Sequence, residues 1–224
     1  QHRFGVKQRQ ALESKGKSPH VLIMTATPIP RTMALSVYGD LDVSFIKGMP
    51  PGRHPVKTYV VGSHMLQRIF RFMKKEMESG HQAYVVCPLV EQSEKQDLAA
   101  AVSVYENLRD HVFPQFGVGL VHGRMKNAEK EQVMEDFRKG KFKLLVATSV
   151  IEVGVNVPDA TVMFVYGADR FGLSQLHQLR GRVGRGKEQA YCVLYTDNQN
   201  ETTQLRMKLM CEIRDGALLA EKDL

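Results

Sequence analysis

The densest chemistry in the sequence lies in Gln178-Leu179-Arg180-Gly181-Arg182-Val183-Gly184-Arg185, where three arginines fall within six positions and glycines separate them. A guanidinium fork matches the oxygens of a phosphate and keeps its charge through the neutral pH range. Glycine lets a backbone come close to a ligand and relieves crowding between long side chains. Arginines aimed at a phosphoryl group in transfer stabilise charge that develops only in the transition state. A basic helix that merely faces solvent interleaves lysine with glutamate at i,i+4 spacing. This segment interleaves arginine with glycine, and so reads as a phosphate-binding element.

Two further segments end an apolar run in polar groups. Leu144-Leu145-Val146-Ala147-Thr148-Ser149 reads as a buried strand closing on two hydroxyls, with Gly154, Asn156 and Pro158 in the turn that follows. Such hydroxyls, with the amides of a helix start, can meet a phosphate; an ordinary helix cap uses the same residue types. His122-Gly123-Arg124-Met125-Lys126 follows the apolar stretch 118–121. There the glycine opens the backbone and two cations flank it, which suits gripping one nucleic-acid strand by its phosphates or a plain loop.

Groups of this kind need a scaffold, and the hydropathy pattern describes one. Short apolar runs predict strands over 20–24, 43–46, 56–61, 82–87, 118–121, 143–147, 161–166 and 190–195. Helices are expected over 4–15, from residue 31, over 98–111, and where Leu66, Ile69, Phe70, Met73 and Met77 recur on one face. Asn127 can cap a helix carrying Val133, Met134 and Phe137, and Leu205, Leu209 and Ile213 mark a last one. Strands alternating with helices imply an α/β fold, a parallel sheet with helices on both faces. Ligands of such sheets gather at the carboxyl ends of the strands. Gly48-Met49-Pro50-Pro51-Gly52-Arg53-His54-Pro55 is the strongest linker signature and sets a boundary near residue 50.

Composition narrows the setting. The 224 residues carry a net charge of +7 and a pI near 9.3, a balance that suits a polyanionic partner. No run approaches the length of a membrane-spanning helix. Cys87, Cys192 and Cys211 stand far apart without a CxxC pair and read as idle thiols of a reducing cytoplasm. The eight histidines show no paired ligand spacing, so no metal site is expected. The start at Gln1-His2-Arg3, without Met or an apolar signal region, reads as excised from a longer chain.

The arginine segment matches QxxGRxGR, motif VI of superfamily-two helicases, and residues 175–185 as a whole resemble the branch shared by RecG helicases and transcription-repair coupling factors. The resemblance implies a RecA-like sheet serving as the second helicase lobe. It makes Arg182 and Arg185 arginine fingers that reach the γ-phosphate of ATP held by the other lobe, with Gln178 helping to place them. Residues 144–158 resemble motif V, so Thr148 and Ser149 would face DNA while Gly154 and Asn156 serve the nucleotide. Asn156 stands where aspartate is more usual, keeping an acceptor for the ribose without the charge. His122, Gly123 and Arg124 match the HGRM segment expected to face DNA. Thr25-Ala26-Thr27 resembles motif III, which couples the lobes, and Gln1-His2 would then end a DExH box.

On this resemblance residues 1–50 are a remnant of the first lobe, 51–200 the second lobe, and 201–224 the start of a helical extension toward a translocation element. Residues 38–44, 49–53 and 215–224 look like the RecG branch. ATP and Mg²⁺ would be bound mainly by the first lobe, because no GxxxxGK[ST] loop occurs in these residues. The implied activity is ATP-driven remodelling of branched DNA, such as stalled forks and Holliday junctions, in repair and recombination. It is expected of a cytoplasmic monomer that also carries the first lobe and an N-terminal wedge, and not of these residues alone. The alternatives are a coupling-factor translocase and a non-catalytic nucleic-acid-binding module.

Overall fold

Six apolar runs pair side by side into one sheet: β1 (Lys57–Val61), β2 (Gln82–Cys87), β3 (Val118–Val121), β4 (Leu144–Thr148), β5 (Ala160–Val165) and β6 (Tyr191–Tyr195). The computed structural model describes residues 52–88, 94–148 and 156–223, with Leu22, Met24, Ser44 and Ile46. The helices and strands expected within 1–50 therefore lie outside the described residues. The strand order is β1-β6-β5-β2-β4-β3 and every pairing is parallel. β2, β4 and β5 are buried at every position, as strands covered on both faces must be. β1, at an edge, alternates between exposed and covered residues.

The helices are α1 (Leu66–Glu78), α2 (Glu94–Asn107), α3 (Asn127–Arg138), α4 (Leu173–Arg180), α5 (Glu201–Glu212) and α6 (Gly216–Lys222). One core gathers Met73 and Met77 of α1 and Ala101 of α2 with Val85, Val146, Val162 and Phe164 from one sheet face. The other gathers Met134 and Phe137 of α3, Leu173 and Leu176 of α4, Met207 and Met210 of α5 and Leu219 of α6 with Tyr84, Leu145 and Met163 from the opposite face. Truncating a wholly buried ring such as Phe137 or Phe164 to alanine costs about 3–5 kcal/mol in such cores. The α/β sheet with helices on both faces is thus present as expected.

Several boundaries differ from the sequence expectation. Asn127 is the first helical residue of α3, and Lys126 takes the cap position, its amide donating to the Glu129 carboxylate at 3.0 Å. α2 runs earlier than 98–111 and closes in a π-helical turn, Leu108–Val112. The last long helix is present as expected, but the residues that marked it are not its most buried ones. Leu205 is 58% exposed, Leu209 and Ile213 are only partly covered, and Thr203, Met207 and Met210 point inward.

Candidate phosphate and nucleic-acid sites at opposite edges of the sheet

At the carboxyl edge the register brings two separate motifs together. Val121 pairs with Ala147 and Cys87 with Thr148, so His122 follows β3 directly beside Thr148 at the end of β4. Thr148 is fully buried, yet among the described residues its Oγ1 has no hydrogen-bond partner, and neither has the buried Nδ1 of His122. Buried polar atoms are normally paired, so two such atoms at neighbouring strand ends make this edge a candidate binding site. The loop between them and α3 is held firmly. The Met125 amide donates to the His122 carbonyl at 3.2 Å, and Lys130 Nζ donates to the Gly123 carbonyl at 2.7 Å. Burial, then the charges of Lys130 and Arg124, hold the His122 imidazole below its ordinary range, so it is neutral near pH 7. Arg124 is exposed. Ser149 and Gly154 lie outside the described residues, as do Thr25, Ala26 and Thr27.

The motif VI arginines stand elsewhere. β5 ends at the carboxyl edge, α4 returns across the sheet, and the loop after it leads into the start of β6. The Gly184 amide donates to the carbonyl of Ala160, the first residue of β5, and a Cβ built on Gly184 would lie 3.2 Å from Ala190 and 3.1 Å from Val56. Gly184 has φ +72°, a left-handed backbone that only glycine adopts without strain. On Gly186 a Cβ would meet the Pro158 carbonyl oxygen at 2.7 Å. The loop is thus clamped against the amino ends of β1, β5 and β6. The rule that ligands gather after strands therefore does not point to Arg182 and Arg185, which precede one. Asn156, exposed and just before the Pro158 contact, falls at the same edge. Gln178 is half-buried in the last turn of α4.

The three arginines separate by role. Arg180 is buried, and its guanidinium donates to the carbonyls of Met210 (2.7 Å), Ile213 (3.1 Å) and Arg214 (3.4 Å) and meets His177 Nδ1 at 2.9 Å. It is a fastener between α4 and the end of α5, not a ligand group. The spacing held that signal, because Arg180 lies at i+7 from Leu173 and i+4 from Leu176, on the buried face. Arg182 and Arg185 are half-buried at the loop. Burial first, then the neighbouring charges of Arg182 and Arg53, depress the Arg185 guanidinium. Its hydrogen bond to the Gly181 carbonyl, at 3.4 Å, is weak, and among the described residues no carboxylate offsets it. Tyr84 lies within reach of the same charges. Burial pushes its hydroxyl up to about 12 against the pull of Arg185 and Arg182. Sequence reasoning did not single out Arg53, Tyr84 or Lys130.

Among the described residues Thr58 Oγ1, in β1, is a third buried polar atom without a hydrogen-bond partner. Burial pushes the Cys87 and Cys192 thiols up to about 12, so neither is a reactive thiolate. Among the described residues no cluster of three His, Cys, Asp or Glu side chains could hold a metal ion, and no helix is long and apolar enough to cross a membrane.

The family model for the helicase conserved C-terminal domain matches residues 63–187. The ATP-dependent DNA helicase RecG of Bacillus subtilis is 54% identical over 224 residues, all of this chain and 33% of that protein. RecG of Synechocystis sp. is 50% identical over the whole chain, which covers 27% of it. The chain thus spans about a third or less of the curated relatives it matches. Among solved structures, RecG bound to a three-way DNA junction superposes with a TM-score of 0.82 at 44% identity, over 100% of this chain and 28% of that one. Domain 2 of the DEAD-box helicase Mss116p, bound to an RNA duplex, shares the fold alone, with a TM-score of 0.54 at 15% identity over 71% of this chain and 61% of that one. With over half its length matched and its whole length aligned to bacterial RecG helicases, the chain belongs to the family of helicase C-terminal domains.

Proposed function

We propose that this chain is the second motor lobe of a RecG-type, ATP-dependent DNA helicase, with residues 1–50 belonging to the first lobe and 201–224 leading toward a further C-terminal element. The observation that carries the reading is the charge arrangement at the amino edge. Arg185 is half-buried beside Arg182 and Arg53, and among the described residues it has no acidic partner. Like charges gathered this way cost free energy that a bound polyanion offsets. ATP supplies the phosphoryl group whose transfer to water drives such a motor. Arg182 and Arg185 bind its terminal oxygens from across the cleft, Gln178 supports them, and Gly154 and Asn156 complete the nucleotide contact. Mg²⁺ belongs with the first lobe.

At the opposite edge, Thr148, Ser149, His122, Gly123 and Arg124 hold one DNA strand. The paired orphans at Thr148 and His122 support this, as does the RecG relative bound to a three-way junction. Branched DNA is accordingly the substrate class, remodelled during repair and recombination, and Thr25-Ala26-Thr27 relays the nucleotide state between lobes. The test is Arg185→Ala in the complete protein that carries this chain. ATP turnover should fall by about a thousandfold or more, in the range typical of arginine fingers, while DNA affinity changes little. Loss of DNA affinity with turnover intact would identify a binding module instead.

A further inference from the structure

The segment that leads into β1 lies on the arginine loop and is tied to it. Gln189, just beyond the loop, donates through Nε2 to the Pro55 carbonyl and to the Ala190 carbonyl, both at 2.9 Å. The Lys57 amide donates to the Ala190 carbonyl at 3.0 Å. The slot left by the missing side chain of Gly184 is filled by Val56 Cγ2 at 3.1 Å, with the His54 carbonyl oxygen at 4.0 Å. These contacts fix residues 54–57 against the loop, and the next residue back is Arg53. Its side chain is exposed, and its charge is felt by Arg185. The backbone contacts of residues 54–57 thus bring Arg53 to the amino edge, near enough to Arg185 for the two charges to act on each other. Guanidinium forks gathered from separate segments suit an anion with several oxygens, such as a nucleoside polyphosphate.

We propose that Arg53 is a third phosphate-binding arginine of the nucleotide site, supplied by the segment between the lobes. This rests on the two-lobe reading and adds to it: an arginine on that segment makes the path between the lobes a nucleotide ligand, so phosphate loss releases the segment as well as the fingers. The experiment compares Arg53→Ala, Arg53→Lys and Arg185→Ala in the complete protein, measuring ATP turnover against ATP concentration with saturating DNA, DNA affinity without nucleotide, and thermal midpoint. Losing a charge-assisted hydrogen bond predicts that Arg53→Ala lowers kcat/KM for ATP by about tenfold or more. Arg53→Lys should recover part of the loss, with DNA affinity and thermal midpoint unchanged. If Arg185→Ala abolishes turnover while Arg53→Ala stays within about twofold of the parent in kcat/KM, this proposal is overturned and the two-lobe reading stands. A joint fall in thermal midpoint and DNA affinity would also overturn it, assigning Arg53 to linker packing. If Arg185→Ala leaves turnover intact, the two-lobe reading itself is lost.

Discussion

The guanidinium of Arg180 donates to the carbonyl oxygen of Met210 at 2.7 Å, binding the helix that ends in the arginine loop to the helix that follows the sheet. Ile213 and Arg214 offer it two more carbonyls where α5 ends. A buried acceptor left without its donor costs about 1–3 kcal/mol. Arg180→Ala should therefore lower the unfolding free energy by about 2–4 kcal/mol, read by urea denaturation. Arg180→Lys should recover little, since one ammonium cannot reproduce the fork. Arg53→Ala, at an exposed site, should shift stability by no more than about 0.5 kcal/mol.

His177 makes the same junction sensitive to acid. Burial, then the Arg180 charge, pushes its imidazole down to about 4 from an ordinary 6.5. Its Nδ1 accepts from Arg180, so a proton there would set cation against cation. The unfolded chain binds that proton more readily than the folded one. Stability is therefore whole above pH 6.5 and declines as pH falls toward 4. Unfolding curves across that window should show the decline, and His177→Gln should flatten it. An unchanged slope in that variant would assign the acid sensitivity to other groups.

Much of the scaffold was legible because strands buried on both faces are continuous apolar runs, and β2 and β3 fell on their expected residues. The long face of α1 was legible for the same reason, its buried methionines recurring at helical spacing. α5 was legible as a helix from Leu205, Leu209 and Ile213, but not in which residues it buries deepest. Its inward residues are Thr203, Met207 and Met210, which pack where α4 and the sheet meet. The site was legible as residue types but not as places. The arginines alone do not separate Arg180 from Arg182 and Arg185; its spacing from Leu173 and Leu176 does. The rule that ligands follow strands does not point to Arg182 and Arg185, because α4 carries the chain back to the opposite edge. Arg53 stood out only as part of a linker and of a segment resembling the RecG branch, with no ligand role attached.

Gly184 gives a sharper test of the loop's shape. At φ +72°, with Val56 Cγ2 3.1 Å and Ala190 Cβ 3.2 Å from where an added methyl would sit, alanine is both strained and crowded. Gly184→Ala should cost about 1–3 kcal/mol of stability. It should also reduce ATP turnover in the complete protein, since the clamp that sets Arg185 must shift. Wild-type stability in this variant would mean the loop relaxes freely, contrary to its packing.

The carboxyl edge predicts a contrast in salt dependence. His122 is held below its ordinary range and so is neutral near pH 7, whereas Arg124 is a permanent exposed charge. Each phosphate neutralised on a single strand contributes about −0.7 to the slope of log affinity against log salt. Arg124→Ala should make the slope shallower by about that amount. His122→Ala should weaken binding while leaving the slope unchanged, because the imidazole contributes a hydrogen bond rather than a charge. Lys130→Met should resemble Arg124→Ala less than His122→Ala, since Lys130 Nζ is engaged with the Gly123 carbonyl at 2.7 Å. Fluorescence anisotropy with a single-stranded oligonucleotide across a salt series separates the three.

The last prediction concerns the chain by itself. It carries cations for phosphate oxygens at one edge of its sheet but no GxxxxGK[ST] sequence anywhere in its 224 residues. Cradling the β- and γ-phosphates takes the amides and lysine of such a loop, and arginine fingers act on a phosphoryl group already held by it. The isolated chain should therefore show no ATP turnover, with or without DNA, while its net charge of +7 still gives salt-sensitive DNA binding. DNA-stimulated phosphate release by the purified chain would mean that its arginines work without a partner lobe.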